Sequence, residues 1–192
     1  KINMKHYLLL SVILLFNLNI HGQKPCEISV NVTDSLGKYK ATKDYLLYEK
    51  IFNGKSSFIF ASLVVADGTP ALNLQFIEKS MEFIKAKCFD KNSKIYLQLL
   101  NGKIVTLLHV DKDNCPNMLR DDNGYNNRIL TGYFLFKKDG YEDLKSSSIS
   151  LMRIKFSTET EDYILKKELK SELNGTVYEP ENYFNNYLHC IE

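Results

Sequence analysis

The chain contains no tryptophan and only four histidines, and two of those, His6 and His21, fall within its first 22 residues. His109 and His189 alone remain for a folded domain. That is too few for a three-histidine metal site, and the H-E-x-x-H pattern of zinc peptidases does not occur. Also missing are G-x-S-x-G, a P-loop and G-x-G-x-x-G, which removes the common serine-hydrolase and nucleotide-binding chemistries. No C-x-x-C pair is present. The cysteines stand 62, 27 and 75 residues apart, spacings that match no zinc module. Nor is there an apolar run of the roughly 20 residues that a membrane-spanning helix needs.

What the N-terminus does have is Lys5, an apolar stretch from Tyr7 to Phe16 that Asn17 and Asn19 end early, and Ile20-His21-Gly22 before Gln23. This pattern predicts a secretory signal peptide over residues 1–22. Lys1 to Asn3 read as translation from upstream of a start at Met4. A single β-rich domain over residues 23–192 is then expected, secreted or periplasmic. Of 25 basic residues, Lys1 and Lys5 lie in the leader, so the remainder balances the 23 acidic residues. A neutral domain without a basic stripe offers no footprint for a phosphate backbone, and nucleic acid is not expected as a partner.

All four cysteines, Cys26, Cys88, Cys115 and Cys190, follow the leader. An even number in an oxidising compartment predicts two disulfides and no metal ligation.

The domain reads mostly as strands. Ile28, Val30 and Val32 alternate with polar residues up to an Asp34-Ser35-Leu36-Gly37 turn, and a return strand is expected from Lys38 to Tyr48. Phe58 to Ala66 is a continuous apolar run, closed by Asp67-Gly68 and followed by alternating Leu72, Leu74 and Phe76. Asn101-Gly102 between two apolar runs predicts a two-residue type I′ hairpin. In that register opposed residue numbers sum to 203, so Ile95 faces Leu108, Leu97 faces Thr106 and Leu99 faces Ile104 on the core side. His109 then projects from the less apolar side, opposite Lys94. Extending the ladder opposes Cys88 to Cys115, which leaves Cys26 for Cys190.

Strands are also expected over 128–136, 149–156 and 163–169, with a short helix capped by Asp139. A closing helix begins at Pro180 and presents Tyr183, Phe184, Tyr187, Leu188 and Ile191 on one stripe. The fold class is therefore mainly β (α+β), an antiparallel sheet or sandwich with a C-terminal helix packed on it.

Two sets of residues are candidates for function. The polar segment from Asp111 to Asn127 is long for a structureless connection, and its Asp111, Asp113, Asp121 and Asp122 make it the candidate binding loop. Its spacing is not that of an EF-hand, because Cys115 and Pro116 occupy the fifth and sixth positions. Glu78, Glu82, Glu159, Glu161 and Asp162 could pair as acid and base in a glycosidase, but they are expected to lie dispersed on the surface.

The signal ending before a Gln, the nearby Cys26, the segment Ile95 to Lys103 with a Cys-containing loop after it, Ile149 to Phe156, and a terminal helix ending in Cys190 resemble the small exported proteins of unknown function common in Bacteroidetes-type bacteria. The resemblance implies a periplasmic or surface location and a compact β-rich domain, and it carries over no catalytic residue. The function expected is an exported, non-enzymatic domain that binds a protein or glycan at the cell envelope without a cofactor. The alternative is a small hydrolase with paired carboxylates.

Overall fold

The computed structural model describes residues 23–35, 37–110 and 112–192. The expected leader and Asp111 lie outside the described residues. Thirteen strands are β1 (Ile28–Asp34), β2 (Gly37–Thr42), β3 (Tyr45–Phe52), β4 (Lys55–Ala66), β5 (Thr69–Ser80), β6 (Lys94–Leu99), β7 (Ile104–His109), β8 (Leu119–Arg120), β9 (Asn126–Phe136), β10 (Ile149–Lys155), β11 (Thr160–Ile164), β12 (Leu169–Lys170) and β13 (Val177–Tyr178). Helix α1 (Lys138–Ser146) precedes β10. The C-terminus is a short helix α2 (Tyr183–Tyr187) between 3-10 turns at Pro180–Asn182 and Leu188–Ile191.

Eleven strands form one antiparallel sheet in the order β1-β2-β4-β5-β9-β7-β6-β10-β11, with β3 beside β4 and β8 beside β9; β12 and β13 pair separately. Two tight turns fix its longest ladder. Asn53 and Gly54, and again Asp67 and Gly68, all have positive φ, the backbone of a type I′ turn whose twist matches that of the strands. They set Phe52 opposite Lys55 and Ala66 opposite Thr69, so β3, β4 and β5 form a meander.

The sheet closes over its own core. Between β5 and β11 lie five inter-strand steps, about 24 Å if the sheet were flat. Yet the rings of Phe76 and Tyr163 are 6.1 Å apart, and Tyr48 on β3 meets Tyr163 edge-on at 5.0 Å. The sheet must therefore bend between β5 and β11, a span in which β7 and β9 share just three residue pairs. Beside a smaller cluster of Leu46, Phe58 and Leu169, the main core is built from Ile59, Leu63, Leu72, Leu74, Ile95, Leu97, Leu107, Phe134, Met152 and Ile154. Tyr183, Phe184, Leu188 and Ile191 complete it from the C-terminus, and Tyr183 donates its hydroxyl to the Ala61 carbonyl.

Four expectations need correction. Opposed residues of the β6–β7 hairpin sum to 202, with Ile95 opposite Leu107 and Leu97 opposite Val105. Gly102, and not Asn101, carries the positive φ, and Gly102 N–H donates to the Leu99 carbonyl, so the loop has three residues, Leu100 to Gly102. A type I turn followed by a left-handed glycine makes such a connection. The one-residue slip turns β7 over: Val105 and Leu107 enter the core, and Ile104 faces solvent at 65 % exposure. His109 turns inward with them, buried between the Phe89 and Phe134 rings, its Nδ1 2.9 Å from the Asp90 carbonyl.

The segment from Lys38 to Tyr48 is two strands on the same side of β4, broken at Lys43-Asp44. Asp139 lies inside the first turn of α1, and Lys137 precedes the helix without a side-chain cap. The stretch 163–169 is the end of β11 and the start of β12. Among the described residues no helix is long and apolar enough to cross a membrane.

Candidate functional site

Residues 81–93, between β5 and β6, have little regular structure, but they are held at several points. Phe89, fully buried, stacks on Phe156 at 5.5 Å and meets Phe134 edge-on at 5.2 Å. Its N–H and carbonyl exchange hydrogen bonds of 2.9 Å with Asn114. The carbonyl of Cys88 accepts from the Ser157 N–H, and Cys88 is bonded to Cys115 across Cα atoms 4.4 Å apart. The backbone is thus fixed directly after the neighbouring Lys87.

Lys87 points into a cavity of about 410 Å³ bounded by the β3–β4 turn, the end of β5, this segment and the β10–β11 turn. Its ammonium lies 3.0 Å from both Glu78 and Glu161 and 4.5 Å from the centre of the Phe76 ring. The Lys87 side chain is 12 % exposed, against 21 % for Glu78 and 35 % for Glu161. A cation this sheltered persists because two carboxylates and an aromatic face replace its water. Glu161 also accepts a 2.5 Å hydrogen bond from the Tyr163 hydroxyl. Burial, with that carboxylate beside it, pushes the Tyr163 phenol far up, so it stays a neutral donor.

At the mouth, Lys85 pairs with Glu159 and Lys55 with Glu82, both on exposed side chains or nearly so. The Lys55 ammonium holds the Glu82 carboxyl below the usual range. Lys50 lines the cavity with no ion pair to another described residue. Phe52 and Phe83 stand at the rim, each 72 % exposed.

The expectation that the carboxylates are dispersed is thus overturned for three of the five. Glu78, Glu159 and Glu161 line one cavity and Glu82 borders it, because bending the sheet brings β11 over β5. Asp162 alternates to the outer face, where Arg153 binds it in a two-pronged pair at 2.6 and 2.7 Å.

The candidate binding loop lies behind the cavity. Asp113 and Asp122 are exposed, and with Asp121 they form no common focus among the described residues. Asp121 organises the loop itself. It accepts from Lys79 at 2.7 Å and from the N–H groups of Tyr125 and Asn123. Lys79, chiefly, with the Tyr125 N–H and the Asn127 side-chain amide, holds its carboxyl down at about 2. Lys79 lines the cavity, so the loop supports a wall of the site through this pair. Arg128 ties the loop to residues 81–93 by donating to the carbonyls of Ile84 and Pro116.

Cys26 and Cys190 form the other disulfide, which ties the segment before β1 to the C-terminal turn. His189 Nε2 is 3.2 Å from Cys26 Sγ. This trio is the one convergence of three potential metal ligands among the described residues, and two of its members are bonded to each other.

Sequence reasoning missed Lys87, Lys50, Phe52 and Phe83. The signal available was local: Phe52 directly precedes Asn53-Gly54, and Phe83 lies in a stretch without strand alternation, so both large apolar side chains fall where a turn or loop exposes them. No protein family, curated protein or solved structure matches the chain.

Proposed function

We propose that the chain is an exported, non-enzymatic binding domain at the cell envelope, and that its cavity above Lys87 takes a glycan. The observation that carries this reading is the pair of exposed rings, Phe52 and Phe83, flanking a polar floor of fixed lysines and glutamates. Neither ring has a role in the core. Sugars present apolar C–H faces, which aromatic rings cover, and hydroxyls, which charged groups bind as both donors and acceptors. Here ammonium donors and carboxylate acceptors alternate around a preformed hollow of ligand size.

The alternative, a small hydrolase, rests on Glu78 and Glu161. Both touch Lys87, so their oxygens are no more than about 6 Å apart, within the range of glycosidase pairs. The Lys87 ammonium, however, fills the space between them that a scissile bond needs.

A glycan array followed by calorimetry tests the reading. Phe52→Ala and Phe83→Ala are expected to lose roughly tenfold in affinity each while melting as the parent does. Parent-like binding by both variants, or no glycan retained by the parent, refutes it. Release of shortened glycan supports the hydrolase instead.

A further inference from the structure

A second hollow, of about 380 Å³, opens where the segment before β1, the β2–β3 connection, β13 and α2 meet. Its walls are Tyr45, Tyr178, Tyr183 and Tyr187. Their rings are not stacked in parallel. Tyr178 stands at 85° to Tyr45 with centroids 5.0 Å apart, and Tyr187 at 55° and 5.3 Å. Tyr183 closes the back, 5.0 Å from Tyr45 and 5.7 Å from Tyr187, with its hydroxyl spent on Ala61. Rings meeting at such angles form walls of a box.

The charges at its edge are unequal. Lys24 is held by Glu179 at 2.8 Å and Lys43 by Glu27 at 2.9 Å, which cancels both cations. Asp44, also lining the hollow, has no ion-pair partner among the described residues. Phenols are neutral near pH 7, and burial pushes Tyr45 further up, to about 12, and raises Tyr183 and Tyr187 as well. Neutral aromatic faces with one uncompensated carboxylate suit a cation too weakly hydrated to prefer water.

We infer that this tyrosine-walled hollow is a second ligand site, taking a small organic cation of the quaternary or alkylated ammonium class against Tyr45, Tyr178 and Tyr187, with Asp44 as counter-charge. It is independent of the glycan reading and uses none of the same residues.

Choline and its neutral carbon isostere, 3,3-dimethylbutan-1-ol, separate charge from shape. Titrations of the disulfide-bonded protein are read by tyrosine fluorescence, which no tryptophan masks, and by shifts of the tyrosine ring resonances. Choline is expected to bind about tenfold more tightly than the isostere. Tyr178→Leu and Asp44→Asn each weaken choline at least fivefold while their melting temperatures stay near the parent's, and Phe83→Ala leaves choline binding as it was. Equal affinity for the two ligands, no choline binding at millimolar concentration, or loss of binding in Phe83→Ala with retention in Tyr178→Leu overturns the assignment.

Discussion

Replacing Lys87 by Met isolates the electrostatics of the first cavity, because Met keeps most of the apolar stem against Phe76 and removes the charge that holds Glu78 and Glu161 together. Two carboxylates no more than about 6 Å apart repel by at least about 3 kcal/mol at an effective dielectric constant near 20. The partial exposure of both side chains, 21 % and 35 %, screens that figure, so Lys87→Met is expected to cost about 2 kcal/mol, below the roughly 3–5 kcal/mol for breaking a fully buried pair. The cost should be mostly repulsion and therefore recoverable. Adding Glu78→Gln and Glu161→Gln to Lys87→Met is expected to restore at least half of it, although each glutamate change alone in the parent destabilises. Urea unfolding followed by circular dichroism measures all of these variants. A loss under about 0.5 kcal/mol for Lys87→Met, or no recovery in the triple variant, refutes the view that one lysine organises this site.

Three further outcomes are expected. Changing Cys88 and Cys115 together to Ser removes a closure across 27 residues, worth about 3.5 kcal/mol in the chain-entropy model; proteolysis of the native protein should then cut first within residues 81–93. On the alkaline side, the folded protein holds Tyr39 and Tyr45 at about 12, with Tyr163 and Tyr183 raised too, all by burial first. The stability these phenols contribute is complete below pH 10 and lost as pH rises through 12, so tyrosinate absorbance at high pH should appear in step with unfolding; smooth, non-cooperative titration near 10 counts against their burial. Asp121, held at about 2 chiefly by Lys79, stabilises the fold above pH 4 and loses that effect as pH falls towards 2, so Asp121→Asn should flatten the acid limb of a stability-against-pH curve, and an unchanged limb contradicts the pairing.

Much of the fold was legible because strands announce themselves locally. The alternation of Ile28, Val30 and Val32 and the run from Phe58 to Ala66 lie in the strands expected of them, and the stripe from Tyr183 to Ile191 is helical as expected but divided between α2 and a closing 3-10 turn. Register was less legible, since it depends on which residue of a turn takes positive φ. Asn53-Gly54 and Asp67-Gly68 use two such residues, whereas at Asn101-Gly102 only the glycine does, and the loop gains a residue. That slip misplaced Ile104 and His109. The sum of 203 that opposed Cys88 to Cys115 is not the hairpin's register. It belongs to the isolated Phe89–Asn114 bridge, reached after the chain shifts by one residue past Ser93 and His109.

The candidate site was illegible for a different reason. Glu78, Lys87 and Glu161 each sit in a neighbourhood that alone reads as solvated: the polar end of a strand, a loop, and the start of an edge strand. Their meeting depends on two long-range facts, the bend that lays β11 over β5 and the fixing of residues 81–93 by Phe89 and Cys88. Local pattern contains neither. Once the bend exists, Glu161 and Asp162 must part, because successive residues of a strand face opposite sides. Glu161 enters the cavity with Lys87, and Asp162 takes Arg153 outside. Phe52 and Phe83 are exposed for a local reason: a ring at a turn or in an irregular stretch, with no core to enter, stays at the rim, where Phe83 meets the Arg128 guanidinium.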